Sequence, residues 1–148
     1  IIIDILDEFE KEMKYRPFQD AIEFVDKLNA NNIPACIVTS SSMLKMNNAF
    51  EQLPGFKEKF NGLVTGDMVK NCKPDPEGYL LGAEMIGIKP ENCIVFEDSL
   101  QGIQAGLNAG SKVVALTTTV SRDKIEKLKA NKIIDNFAGL EIDDIIAL

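Results

Sequence analysis

The chain has no histidine, which removes both a serine-protease triad and a histidine-ligated zinc centre. Acid–base chemistry is left to carboxylates, Lys, Tyr or Cys. Cysteine is scarce: Cys36, Cys72 and Cys93 are too few and too scattered for a disulfide framework or a zinc cluster. Cys36 and Cys93 lie in apolar runs, where a free thiol behaves as a small hydrophobe. No apolar run approaches the roughly 20 residues of a membrane span. No basic segment with a cleavage site opens the chain, so no secretory signal is expected, and the free thiols fit a reducing cytoplasm. Positive charge is also in deficit. The net charge of −7 argues against a nucleic-acid partner, because phosphate backbones attract Lys and Arg. A small phosphorylated metabolite stays compatible, since one bound cation and one lysine reverse a local field.

What remains is an ordinary globular composition, 148 residues with 45% hydrophobic and 26% charged, the size of one domain. Short apolar runs at Ile33 to Thr39, Gly62 to Thr65, Cys93 to Phe96, Lys112 to Leu116 and Lys132 to Ile134 predict strands. Helical periodicity fills the intervals at Pro17 to Asn31, Met43 to Leu53, Pro76 to Ile86, Leu100 to Asn108, Arg122 to Lys129 and Leu140 to Ala147. This alternation predicts an α/β fold of the three-layer Rossmann-like kind, a parallel sheet with helices on both faces. Almost wholly apolar strands such as IPACIVT and KVVAL suit a sheet covered on both sides. The opening IIIDILDEFEKEMKY differs. Ile2, Ile5, Leu6, Phe9 and Met13 lie at helical spacing and predict an amphipathic helix over residues 1–15.

In an open parallel sheet ligands bind beyond the carboxyl ends of the strands, so the residues after each apolar run carry the chemistry. Thr39, Ser40, Ser41 and Ser42 follow the first run and precede a helix, as an anion site or as a simple cap. Glu97 and Asp98 follow CIVF. Adjacent carboxylates on a buried element repel unless a cation joins them, and oxygen-only ligands there suit Mg²⁺; alternatively Asp98 or Ser99 caps the next helix. Lys73, on the stiff loop Lys73-Pro74-Asp75-Pro76, is placed to meet a phosphate or else is a solvated lysine. Hydroxyls, a cation and paired carboxylates at three strand ends make up the parts of a Mg²⁺-assisted phosphoryl-transfer site.

The series VTSSS, KPDPEGY and VFEDSLQGIQAGLNAG resembles motifs two, three and four of the haloacid dehalogenase-like (HAD) superfamily, in the version of β-phosphoglucomutase and small sugar- or glycolate-phosphate phosphatases. The resemblance runs from about Arg16 to the C-terminus. It implies that Ser40 holds the transferring phosphate with help from the Ser41 backbone, with Thr39 the fallback one residue earlier. It makes Lys73 the lysine that neutralises the phosphoryl oxygens, Asp98 a direct Mg²⁺ ligand and Glu97 its adjacent metal-site partner. Motif one of that family, D-x-D after the first strand, supplies a nucleophile and a general acid–base. The nearest match is Asp4 and Asp7, whose spacing puts them on opposite sides of a strand but on one face of a helix.

The resemblance therefore implies residues 1–15 as the last helix of an α-helical cap, and residues 16–148 as a catalytic core truncated at its N-terminus. Without its first strand, the sheet has a slot whose unpaired backbone groups would cost roughly 1–3 kcal/mol each. The expectation is a longer natural polypeptide, or closure of the slot by the flanking strands or another chain. The implied activity is Mg²⁺-dependent hydrolysis of a small phosphate monoester through an aspartyl-phosphate in the complete protein, with this chain inactive alone. Sugar-phosphate mutase activity and a non-catalytic phosphate- or partner-binding module are the alternatives, and a response-regulator-like signalling domain ranks below them.

Overall fold

The structure is a computed structural model that describes residues 2–3, 6–7 and 16–148. Among these, six strands form one parallel sheet: β1 (Ile2–Ile3), β4 (Cys36–Val38), β5 (Gly62–Val64), β6 (Ile94–Glu97), β7 (Lys112–Leu116) and β8 (Lys132–Ile134). Their order is β5-β4-β1-β6-β7-β8, and every neighbouring pair is parallel. Two further short strands, β2 (Leu6–Asp7) and β3 (Arg16–Pro17), pair antiparallel in a separate two-stranded sheet. The helices are α1 (Gln19–Ala30), α2 (Met43–Gln52), α3 (Glu77–Met85), α4 (Leu100–Asn108), α5 (Arg122–Glu126) and α6 (Asp143–Ile146).

Strand alternation sorts the core into two sides. Phe96, Val114 and Leu116 turn toward α1 and α6, where they meet Ala21, Phe24, Val25, Leu28, Phe137 and Ile145. Val95, Val113 and Ala115 turn the other way, onto Tyr79 of α3, Ile103 of α4 and Ile125 of α5. The four buried α1 residues recur at i, i+3, i+4 and i+7, the stripe that lays a helix on a sheet. Ile37 packs with Met46 of α2, and so places that helix on the α1 side. The layers are those the alternating sequence predicts.

The opening of the chain is different from the expected helix. Its described residues are extended. Ile2 and Ile3 lie between β4 and β6, with Ile2 opposite Cys36 and Val95 and Ile3 opposite Ile37 and Phe96. The slot expected to be closed by the flanking strands or by another chain is instead filled by Ile2–Ile3 of this chain, so the central strand of the sheet comes from within residues 1–15. Two forces favour this outcome. Ile2 and Ile3 are β-branched and suit a pleated surface. Pairing them also satisfies backbone groups on both neighbouring strands. Leu6 and Asp7 lie in β2 and not in a helix, and the residues of 1–15 other than these and Ile2–Ile3, Asp4 included, lie outside the described residues. Pro17 also differs from expectation, belonging to β3 while α1 begins at Gln19.

Candidate functional site

The carboxyl ends of β4 and β6 and the loop that follows β5 carry the polar residues singled out from the sequence. β4 and β6 flank β1, so their ends stand two strand spacings apart, about 10 Å. That gap suits a tetrahedral anion and its counter-ion.

Glu97, the last residue of β6, is fully buried with its side chain on the α3 and α4 side. Lys73 Nζ donates to its Oε1 at 2.5 Å, and the Tyr79 hydroxyl donates to the same oxygen at 2.9 Å. Oε2 accepts the Ser99 backbone N–H and the Ser99 hydroxyl, both at 2.9 Å. Burial pushes the Glu97 carboxyl upward, but the Lys73 ammonium and the hydrogen bonds from Lys73 and Ser99 outweigh it and hold it below the ordinary carboxylate range. Both oxygens are engaged. The expected carboxylate pair therefore divides its labour: Glu97 anchors Lys73 and is not placed as a cation ligand.

Lys73 is no solvated lysine. Its side chain is 12% exposed, its ammonium lies 5.0 Å from the Tyr79 ring centroid, and it reaches the Val38 carbonyl at 3.5 Å. The loop that carries it is tied to α3. Glu77 accepts from the backbone N–H of Lys70 at 2.8 Å and of Asn71 at 2.9 Å, and Asp75 accepts from Glu77 N–H at 2.9 Å.

Ser40 is exposed at the end of β4, while Thr39 is buried and accepts the Ser41 N–H at 3.1 Å. The open hydroxyl is therefore Ser40, and the expected backbone donor at Ser41 is already turned onto Thr39. Ser42, not Ser40, caps α2 through Lys45 N–H. Asp67 takes the next free donor, Met43 N–H, at 2.6 Å. Ser40 and Lys73 line one cavity of about 30 Å³ together with Thr65. The Thr65 hydroxyl is buried there and finds no hydrogen-bond partner among the described residues, as a place open to a water, an ion or another polar guest would leave it.

Asp98, immediately after β6, is half-buried, and its Oδ2 accepts hydroxyl hydrogen bonds from Thr118, at 3.1 Å, and from Thr119. No group of three His, Cys, Asp or Glu side chains converges among the described residues. Asp98 does not line that cavity, but its Oδ1 takes no hydrogen bond among the described residues, and one such carboxylate oxygen fits Mg²⁺, which takes one or two carboxylates and completes its shell with phosphate and water. The Cys36 thiol is pushed up to about 11 by burial and is chemically quiet, as its apolar run predicts.

Sequence reasoning missed Tyr79, Thr118 and Thr119. The threonines were within reach of the strand-end rule, since they follow the apolar run KVVAL. Tyr79 carries no such local signal, being part of the apolar face of α3.

A model of the haloacid dehalogenase-like hydrolase family matches residues 1–110. Hexitol phosphatase A of Escherichia coli K12 is 37% identical over 110 residues, covering 73% of this chain and 49% of that protein. A solved HAD hydrolase of family IA, variant 3, from Entamoeba histolytica superposes with a TM-score of 0.83 at 25% identity, covering 90% of this chain and 61% of that one. A putative β-phosphoglucomutase from Thermotoga maritima gives 0.75 at 27% identity, covering 82% and 56%. The chain spans about half the length of the curated phosphatase it matches.

Proposed function

Because the chain belongs to the haloacid dehalogenase-like hydrolase family, we propose that its site hydrolyses a small phosphate monoester, a sugar or polyol phosphate being the first substrate class to try. The observation that carries this reading is the cavity shared by Ser40 and Lys73, with Lys73 fixed by a fully buried Glu97. Ser40 donates its hydroxyl to a phosphate oxygen. Lys73 places positive charge against the equatorial oxygens, where charge spreads in the transition state. Asp98 offers Oδ1 to Mg²⁺. That cation supplies further neutralisation of the phosphate when bound. Ser41 contributes only by releasing its N–H from Thr39.

The position of β1 supports a nucleophile. Ile3 ends the strand between β4 and β6, and the next residue in the sequence is Asp4. An Asp4 carboxylate oxygen would attack phosphorus as the bond to the alcohol oxygen breaks, that oxygen taking a proton from solvent water; a second water then cleaves the acyl phosphate, returning the carboxylate and inorganic phosphate. Asp4 itself lies outside the described residues. Phosphate release from an aryl phosphate and a hexitol phosphate, with and without Mg²⁺, tests the proposal. Turnover that needs Mg²⁺ and disappears in Asp4→Asn and Asp98→Asn is the expected result. Turnover indifferent to Mg²⁺ or to Asp98→Asn contradicts it. Phosphate binding without turnover would instead support a binding module.

A further inference from the structure

The two hydroxyls on Asp98 come from a loop that is held at both ends. Thr117 N–H donates to the Ile134 carbonyl of β8 at 3.1 Å. The Thr117 hydroxyl donates to Asp135 Oδ1 at 2.7 Å, and Arg122 Nη2 donates to the same oxygen at 2.9 Å. On the far side, Val120 packs against the apolar cluster around Ile125. Between these fixed points Thr118 and Thr119 both address Oδ2, while Oδ1 takes no hydrogen bond among the described residues. Two exposed threonines that each spend a hydroxyl on one carboxylate oxygen are not explained by folding of the loop, which is already anchored by Thr117 and Val120.

We propose that Thr118 and Thr119 are positioning residues that make Asp98 a one-oxygen ligand and so favour Mg²⁺ over Ca²⁺ at this site. The inference rests on Asp98 as the cation-binding carboxylate. A free aspartate swings about its side-chain torsions and can offer one oxygen or two. Two donors on Oδ2 stop that rotation, satisfy the lone pairs of Oδ2 and leave Oδ1 as the oxygen presented outward. Mg²⁺ demands a small octahedral shell with single-oxygen carboxylates, whereas Ca²⁺ accepts two oxygens of one carboxylate in a larger, looser shell. Holding Oδ2 on hydroxyls therefore costs Ca²⁺ a ligand that Mg²⁺ does not use. Hydrogen-bond partners of this kind change metal affinity by about 10–100-fold when removed.

Isothermal titration of the chain with MgCl₂ and, separately, CaCl₂ tests the proposal in the wild type, Thr118→Val/Thr119→Val, Thr118→Ser/Thr119→Ser and Asp98→Asn. The valine pair keeps the branched shape and loses the hydroxyls. It is expected to weaken Mg²⁺ binding by about 10-fold or more while Ca²⁺ weakens less, so that the preference narrows. The serine pair is expected to restore it, which a shape effect would not. If the valine pair binds Mg²⁺ as the wild type does while Asp98→Asn loses binding, the positioning role is wrong and the metal site stands. A serine pair that fails to restore binding also overturns the role. If Asp98→Asn binds as the wild type does, or the wild type shows no Mg²⁺ site, the metal assignment falls and this inference with it.

Discussion

Glu97 and Lys73 show how a single buried ion pair is made tolerable. A carboxylate fully removed from water is costly, and here one ammonium and three neutral donors surround it. Lys73→Met leaves that carboxylate buried without its cation, and is expected to cost about 3–5 kcal/mol in urea unfolding. Adding Glu97→Gln should recover part of the loss, because the stranded charge is gone. A single variant as stable as the wild type would contradict the pairing. Gly102 belongs to the same arrangement. A Cβ there would stand 1.9 Å from Cδ and Oε1 of Glu97, so α4 passes this close only because the residue is glycine. Gly102→Ala is expected to destabilise by about 1–3 kcal/mol or to expel Glu97 from its place, read as a lowered unfolding midpoint. At this scale the positions of Lys73, Ser40 and Asp98 at or after strand ends were legible because polar residues end apolar runs. Their tasks were less so: whether a carboxylate binds metal or a lysine depends on Tyr79 and Ser99 reaching it, and neither contact follows from spacing.

Among elements, β4 to β8 and α1 to α6 were legible to within a few residues, because long apolar runs and helical stripes survive any tertiary context. β1 was not. A two-residue strand leaves no period to count, and the helical spacing of Ile2, Ile5, Leu6 and Phe9 competed with it. What decides the matter is the backbone pairing waiting on β4 and β6, which appears only once the sheet is assembled. The loop before α3 offers a pH test. Backbone N–H groups of Lys70 and Asn71 hold the Glu77 carboxyl below its ordinary value of 4.5. A carboxyl held low binds fewer protons folded than unfolded, so its contribution is complete above pH 4.5 and is lost as the pH falls through the folded value. The stability difference between wild type and Glu77→Gln is accordingly expected to shrink below that pH, measured by denaturant titration at several pH values. A difference that grows on acidification would reverse the assigned sign.

For the whole molecule, no described helix is long and apolar enough to cross a membrane. The surface carries a net charge of −7, so an anionic substrate needs local positive charge to be held. On the reading proposed above, Lys73 and a cation held by Asp98 supply that charge, with the Ser40 hydroxyl as a neutral donor, all at the carboxyl edge of one sheet. The fold class and the location of this edge were readable from the alternation of strands and helices alone. The claim tested most directly is that these groups enclose one phosphate and one metal ion. Diffraction from crystals soaked with Mn²⁺ and tungstate is the measurement. The account predicts manganese on Asp98 Oδ1 and a tungstate within hydrogen-bond reach, about 3 Å, of both the Ser40 hydroxyl and Lys73 Nζ. Manganese and tungstate bound apart on other faces, with this edge empty, would contradict it.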